Sequence, residues 1–294
     1  MNSKQLWSFI VHRSSFIVLI VHRSSFIVLL LVLLGACARR AAPIVVGSKN
    51  FTESVLLGEI VAQKLEAAGC SVDRRLNMGG TFVADTAIRS GAIDTYVEYT
   101  GTALEAILET KASSPADAYA RAGLHWGPAL GFNNTFAMIV RRDYGPKKIS
   151  DLANVATTAQ PGFGYEFVER PDGWNGLLRA YGLTFARPPR TMDLGLTYKA
   201  LASRQVDLIA GNSTDGLIES LGLIALQDDR QYFPTSDAAI VRRNDIDNKC
   251  GGASAALESL AGKIDDATMR RLNYEVDGRK RDVGEVAREL LLRK

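Results

Sequence analysis

Histidine is scarce in this chain. Of 294 residues three are histidine, and two of them, His12 and His22, fall in an N-terminal repeat. The remainder keeps His125 alone, so Ser-His-Asp triads and histidine-rich metal sites have almost no raw material. His125 stands beside Trp126 and reads as packing. Cysteine is equally sparse, with Cys37, Cys70 and Cys250 and no CxxC, which removes zinc-ribbon and thioredoxin-like readings. GxxxxGK[ST], HExxH and GxSxG are absent, and "GFGYEF" near Gly162 lacks the third glycine of a dinucleotide loop. Carboxylates are plentiful, but no pair stands out as an acid/base couple. The expectation is no enzyme, no cofactor and no metal.

Excess charge is missing too. The formal net charge of +3 comes from Lys4, Arg13 and Arg23, the charged side chains before Cys37; the rest balances 32 basic against 32 acidic residues. Nothing in that balance suggests a nucleic-acid partner, and none is expected. An uninterrupted apolar span of ~20 residues, as a transmembrane helix requires, is also lacking. "VHRSSFIVL" occurs at Val11–Leu19 and again at Val21–Leu29, each copy opened by a His–Arg pair. The longest run, Phe26 to Ala36, has 11 residues, within the ~7–15 of a signal-peptide core. It ends in "LGAC", Leu34–Cys37, which resembles a bacterial lipobox. Residues 1–36 are therefore expected to be a lipoprotein signal peptide, Cys37 the lipidated residue and 37–42 a tether. Cys70 and Cys250 remain for the body, either as a disulfide in an oxidising compartment or as two buried thiols.

Beyond the tether, strand and helix patterns alternate. Ile44–Val46 predicts a strand. A helix from about Phe51 to Ala68 comes next, with Leu56, Ile60, Val61 and Leu65 at helical spacing and Gly69 as stop. Asn50 and Glu53 have the spacing of a capping box at its start. A strand around Ser71–Leu76, a helix from Phe82 to Gly91 and the strand "AIDTYVEY" complete a β-loop-α-β-loop-α-β series. Such a series predicts a largely parallel sheet that binds ligands beyond its strand C-termini. A second series starts near "YGPKKISDL", where Ser150 or Asp151 can cap a helix. It includes the buried strand "VDLIAG", and "AAIVRR" reads as one more strand. Val283, Val286, Ala287, Leu290 and Leu291 then form one apolar helix face.

Several loops sit at strand ends. "GSKNFTES" places Lys49 and Asn50 at the start of the first helix, where free N–H groups favour anions. "EYTGT" places Tyr99 and Thr102 after the third strand. "GFNNTF" and "GNSTDG" carry Asn134 and Asn212 next to strands. One such loop is an ordinary turn, but four on one α/β chain point to a cleft.

Together "GSKNFTES", "GGT", "AIDTYVEYTGTAL", "GFNNTF", "ERPDGW", "MDLGLTY", "VDLIAGNSTDG" and "LNYEVD" resemble the substrate-binding proteins of osmoprotectant ABC transporters, which bind glycine betaine, choline, carnitine and related quaternary amines. The resemblance runs in order from Ile44 to the C-terminus. It implies an α/β, two-lobed type II periplasmic-binding fold with two hinge crossings near "FAMIV" and "AAIVRR". The implied lobes are 43–137 with 237–294, and 138–236. It also implies that Lys49, Thr102 and Arg170 hold a ligand carboxylate while aromatic rings surround the cation, a contact worth roughly 0.5–2 kcal/mol per ring. Tyr99 matches one wall and Phe136 a second. Asn212 and Ser236 stand where relatives often carry tyrosine, leaving two rings of four. Tyr165, Phe167, Trp174 and Tyr198 are possible replacements that also suit core or hinge packing.

The resulting expectation is an extracytoplasmic lipoprotein, at the outer face of the cytoplasmic membrane or in the periplasm. It captures a quaternary amine or small zwitterion by lobe closure and delivers it to a permease with its ATPase. The alternatives are a binding-deficient lipoprotein serving as a protein-interaction module, and an enzyme on a similar scaffold.

Overall fold

The computed structural model describes residues 42–111 and 114–292. The expected signal peptide, Cys37 and most of the tether lie outside the described residues. The apolar run after the tether forms β1 (Ile44–Gly47). Helix α1 (Thr52–Ala67) follows and stops where Gly69 adopts a φ of +87°, a left-handed turn that suits glycine. β2 (Val72–Arg75) then lies parallel to β1, with Ile44 opposite Val72. α2 (Thr81–Arg89) and β3 (Thr95–Tyr99) repeat the unit, and β4 (Leu124–Asn133) closes the first passage.

One local expectation fails. Asn50 and Glu53 form no capping box; Phe51 holds the N-cap position without a side-chain cap. Glu53 instead turns inward to four buried donors, which outcompete a single peptide N–H. The Asn50 N–H goes to the Gly79 carbonyl at 2.9 Å, and Ser54 Oγ accepts the Lys49 N–H at 2.8 Å.

The second series builds β5 (Phe136–Arg141), β6 (Pro161–Gly164), α3 (Tyr165–Glu169), α4 (Trp174–Tyr181), β7 (Arg190–Met192), α5 (Leu194–Ala202), β8 (Leu208–Asn212) and β9 (Leu223–Ala225). The segment expected to be a helix capped by Ser150 or Asp151 is a 3-10 turn, Ile149–Asn154, with the Asp151 carboxylate accepting the Lys148 N–H at 3.1 Å. The Ser150 N–H leaves the turn for Asp229. β10 (Asp237–Arg243) returns the chain to the first sheet. α6 (Ala253–Glu258), α7 (Asp266–Asp277) and α8 (Val283–Leu292) complete that lobe.

The two five-stranded sheets have the orders β2-β1-β3-β10-β4 and β7-β6-β8-β5-β9. In each, three parallel strands are joined by antiparallel ones: β10 runs against β3 and β4, and β5 against β8 and β9. This is the expected two-lobed α/β architecture. The chain passes between sheets at Asn134–Thr135 and again through residues 226–236. The crossings are tied together, since the Asn134 N–H donates to the Ser236 carbonyl at 2.9 Å.

Each lobe has its own core. Leu56, Ile60 and Leu65 of α1 pack with Val286 and Ala287 of α8, so the C-terminal apolar face is used as its spacing suggests. The second core gathers Phe163, Trp174 and Leu177. Cys70 and Cys250, 180 residues apart, form a disulfide that staples the end of α1 to the segment before α6. No helix among the described residues is long and apolar enough to cross a membrane.

Candidate functional site

Parallel strands aim their C-terminal ends at one edge, and here the edges of both sheets meet around a cavity of about 360 Å³, within the usual size of small-molecule sites. All nine expected ligand residues line it: Lys49, Asn50, Tyr99, Thr102 and Asn134 among them, with Phe136, Arg170, Asn212 and Ser236 from the other sheet or the crossings.

Lys49 stands two residues past the end of β1 and is buried with its charge. Its Nζ donates to Glu98 Oε1 at 2.5 Å and to Thr81 Oγ1 at 3.1 Å, and lies 5.1 Å from the Tyr99 ring centroid. Glu98 comes from β3 and is fully buried; it also accepts the Tyr96 hydroxyl and the Tyr99 N–H. This ion pair holds one charge of each sign in a desolvated place, so removing either partner strands the other.

Arg170, just beyond α3, is 4% exposed and grips Asp172 with both ends of its guanidinium, at 2.8 and 2.5 Å. Its Nη1 reaches Thr102 Oγ1 and Glu166 Oε1, each at 3.4 Å, and the guanidinium lies 4.7 Å from the Phe136 ring centroid. The Arg170–Thr102 contact crosses from one lobe to the other.

A third knot sits behind the cavity. Glu53 accepts the Tyr99 hydroxyl, Asn134 Nδ2, the Thr214 hydroxyl and Asn273 Nδ2. Burial raises its pKa above the ordinary carboxylate value, and the four bonds oppose that rise. Nearby, Asp215 accepts the Tyr198 hydroxyl at 2.7 Å and the Asn212 N–H at 2.8 Å. Burial pushes Asp215 up to about 6. Ser236 Oγ accepts the Gly101 N–H at 3.0 Å.

The aromatic lining is richer than the expected two rings. Besides Tyr99 and Phe136, the cavity is lined by Phe51, Phe82, Tyr165, Phe167 and Phe233. Phe136 packs edge-on against Phe167 and Phe233, while Phe51 lies 6.1 Å from Tyr99. Phe82 on α2 and Tyr165 on α3 remain about half exposed. Of the four replacement rings considered, Tyr165 and Phe167 line the cavity. Trp174 belongs to the core between Phe163 and Phe185, and Tyr198 is held by Asp215. Sequence reasoning passed over Phe51, Phe82 and Phe233, although Phe51 lies inside "GSKNFTES", Phe82 directly follows "GGT" and Phe233 opens "FPTS". It also missed Glu53, Thr81, Glu98 and Glu166, whose partners come together only in the fold. His125 is on β4, 41% exposed, with Nε2 3.9 Å from Glu258, and does not line the cavity.

Residues 42–292 match the family model described as the substrate binding domain of an ABC-type glycine betaine transport system. An ergothioneine transport permease/ergothioneine binding protein of Helicobacter pylori is 35% identical over 263 residues, which cover 85% of this chain. The match spans about half of that relative, 47% of its length. The glycine-betaine-binding protein of Pseudomonas aeruginosa is 35% identical over 282 residues, covering 88% of this chain and 90% of the relative. Among solved structures, that of a glycine betaine/carnitine/choline ABC transporter is 28% identical with a TM-score of 0.65, covering 84% of this chain and 97% of its own. Lactococcal OpuAC, closed on glycine betaine, shares the fold at 14% identity and a TM-score of 0.65, covering 85% and 94%.

Proposed function

The chain belongs to the family of substrate-binding domains of ABC-type glycine betaine transport systems, and on that premise we propose that its cavity captures a quaternary amine or a related small zwitterion. It is a binding protein, not an enzyme. The observation that carries the reading is the cavity itself: seven aromatic side chains and two buried cations converge between two sheets joined by two chain crossings. Aromatic faces suit a methylated ammonium, which water hydrates weakly and ring quadrupoles attract. Lys49, Thr102 and Arg170 serve the ligand's polar end, with Asn50, Asn134, Asn212 and Ser236 completing the wall.

Two lobes joined at tied crossings can open and shut around the ligand, and the closed form is what a permease recognises. The partners are an ABC permease and its ATPase. The protein acts outside the cytoplasm, anchored through lipid on Cys37, and the Cys70–Cys250 disulfide suits that oxidising side.

Titration calorimetry of wild type beside Phe136→Ala and Tyr99→Ala tests the site, with folding of each checked by circular dichroism. Using whichever of choline, glycine betaine and carnitine binds wild type most tightly, each substitution is expected to weaken binding at least tenfold. Unchanged affinity in both variants refutes the site.

A further inference from the structure

Glu166 opens α3 in the second lobe but ends on the first. Its Oε2 accepts the Thr81 N–H at 3.1 Å, at the N-terminus of the nine-residue α2. The approach depends on Gly80, because a Cβ there would stand 2.3 Å from Glu166 Oε2. The same carboxylate faces Arg170 through Oε1 at 3.4 Å. Thr81, which binds it by the backbone, also accepts Lys49 Nζ on its side chain. These groups are the ones that would receive a ligand's carboxylate: a helix N-terminus, a lysine and an arginine.

We propose that Glu166 is a specificity-determining residue, a built-in carboxylate that occupies the cleft's anion position and selects cations without a carboxylate of their own. The inference rests on the quaternary-amine reading above and narrows it. Charge supports it. Lys49 and Arg170 face three carboxylates, Glu98, Asp172 and Glu166, and Glu169 and Asp193 also line the cavity, so acidic groups outnumber basic ones around it. A monocation offsets part of that excess. A zwitterion leaves it in place and brings a second carboxylate towards Glu166, where like charges at short range in a desolvated site repel. Burial alone would raise the pKa of Glu166, but Lys49, the Thr81 hydrogen bonds and Arg170 outweigh it and hold the carboxyl below its ordinary value. It is therefore ionised at neutral pH.

Choline and glycine betaine form a matched pair of probes, since both carry a trimethylammonium on a two-carbon unit whose second carbon is a hydroxymethyl in choline and a carboxylate in glycine betaine. Calorimetry is run with both on wild type, Glu166→Gln and Glu166→Ala. Wild type is expected to bind choline at least tenfold more tightly than glycine betaine, and the variants are expected to reduce that ratio at least tenfold. Glycine betaine binding wild type as tightly as choline overturns the proposal without any variant being needed. An unchanged ratio in both variants also overturns it. Binding of neither probe, nor of any other quaternary amine, overturns the parent reading instead, so the two failures are distinguishable.

Discussion

Thr214, just past β8 of the second sheet, donates its hydroxyl to Glu53 Oε2 at 2.5 Å, and Glu53 belongs to the first turn of α1. That bond joins the lobes behind the cavity, and the same carboxylate holds Tyr99, Asn134 and Asn273. Replacing Glu53 with alanine leaves four buried donors short of an acceptor. A loss of about 3 kcal/mol is expected, because an orphaned buried donor costs its desolvation. Urea unfolding of Glu53→Ala checks this, and an unshifted midpoint would show that the knot contributes nothing.

The Lys49–Glu98 pair should behave asymmetrically. Lys49→Met strands a fully buried carboxylate and is expected to cost about 3–5 kcal/mol. The double variant Lys49→Met/Glu98→Gln removes both charges and should recover most of that loss. A double-mutant cycle in denaturant measures the coupling; simple additivity of the two single changes would contradict the pairing.

The disulfide spans 180 residues of chain, so it constrains the unfolded state over a long loop. Cys70→Ser/Cys250→Ser is expected to lose about 2–5 kcal/mol in guanidinium unfolding. Thiol titration of the unfolded, unreduced body should find neither cysteine free. Two reactive thiols there would disprove the bond.

Asp215 gives a pH dependence with a definite sign. Its pKa in the fold is raised to about 6 from 3.8, chiefly by burial. Between those values the native state binds more protons than the unfolded chain, so this group's contribution to stability falls as pH rises from about 4 to 6 and is flat above. The integrated effect is on the order of 3 kcal/mol. Asp215→Asn lacks the titration, so its stability relative to wild type should improve between pH 4 and pH 7. Chemical denaturation at both pH values decides it, and an equal pH response in the two proteins would rule Asp215 out as the cause.

How far the sequence reached is clear from particular residues. β1, α1 and β8 were legible because short apolar runs and helical spacing report burial locally. Eight of the nine ligand positions lie at a strand end or within three residues of one, where a parallel sheet has few other places to send the chain; the ninth, Arg170, follows α3. What could not be read were partners distant in the chain. Glu53 had the spacing of a cap, and nothing local signals that Thr214 and Asn273, 161 and 220 residues away, would claim it. Phe82 in the first turn of α2 and Phe233 in the second crossing reach one cavity only through lobe packing, so rings beyond the matched wall positions are not legible from the sequence.

Capture of a quaternary amine is tested most directly by calorimetric titration of the purified protein. The titrants are choline, glycine betaine, carnitine, ergothioneine and a set of ordinary amino acids. Saturable binding of at least one methylated amine, at one ligand per chain and more tightly than any ordinary amino acid, is the expected result. No heat of binding from any of the methylated amines would contradict it.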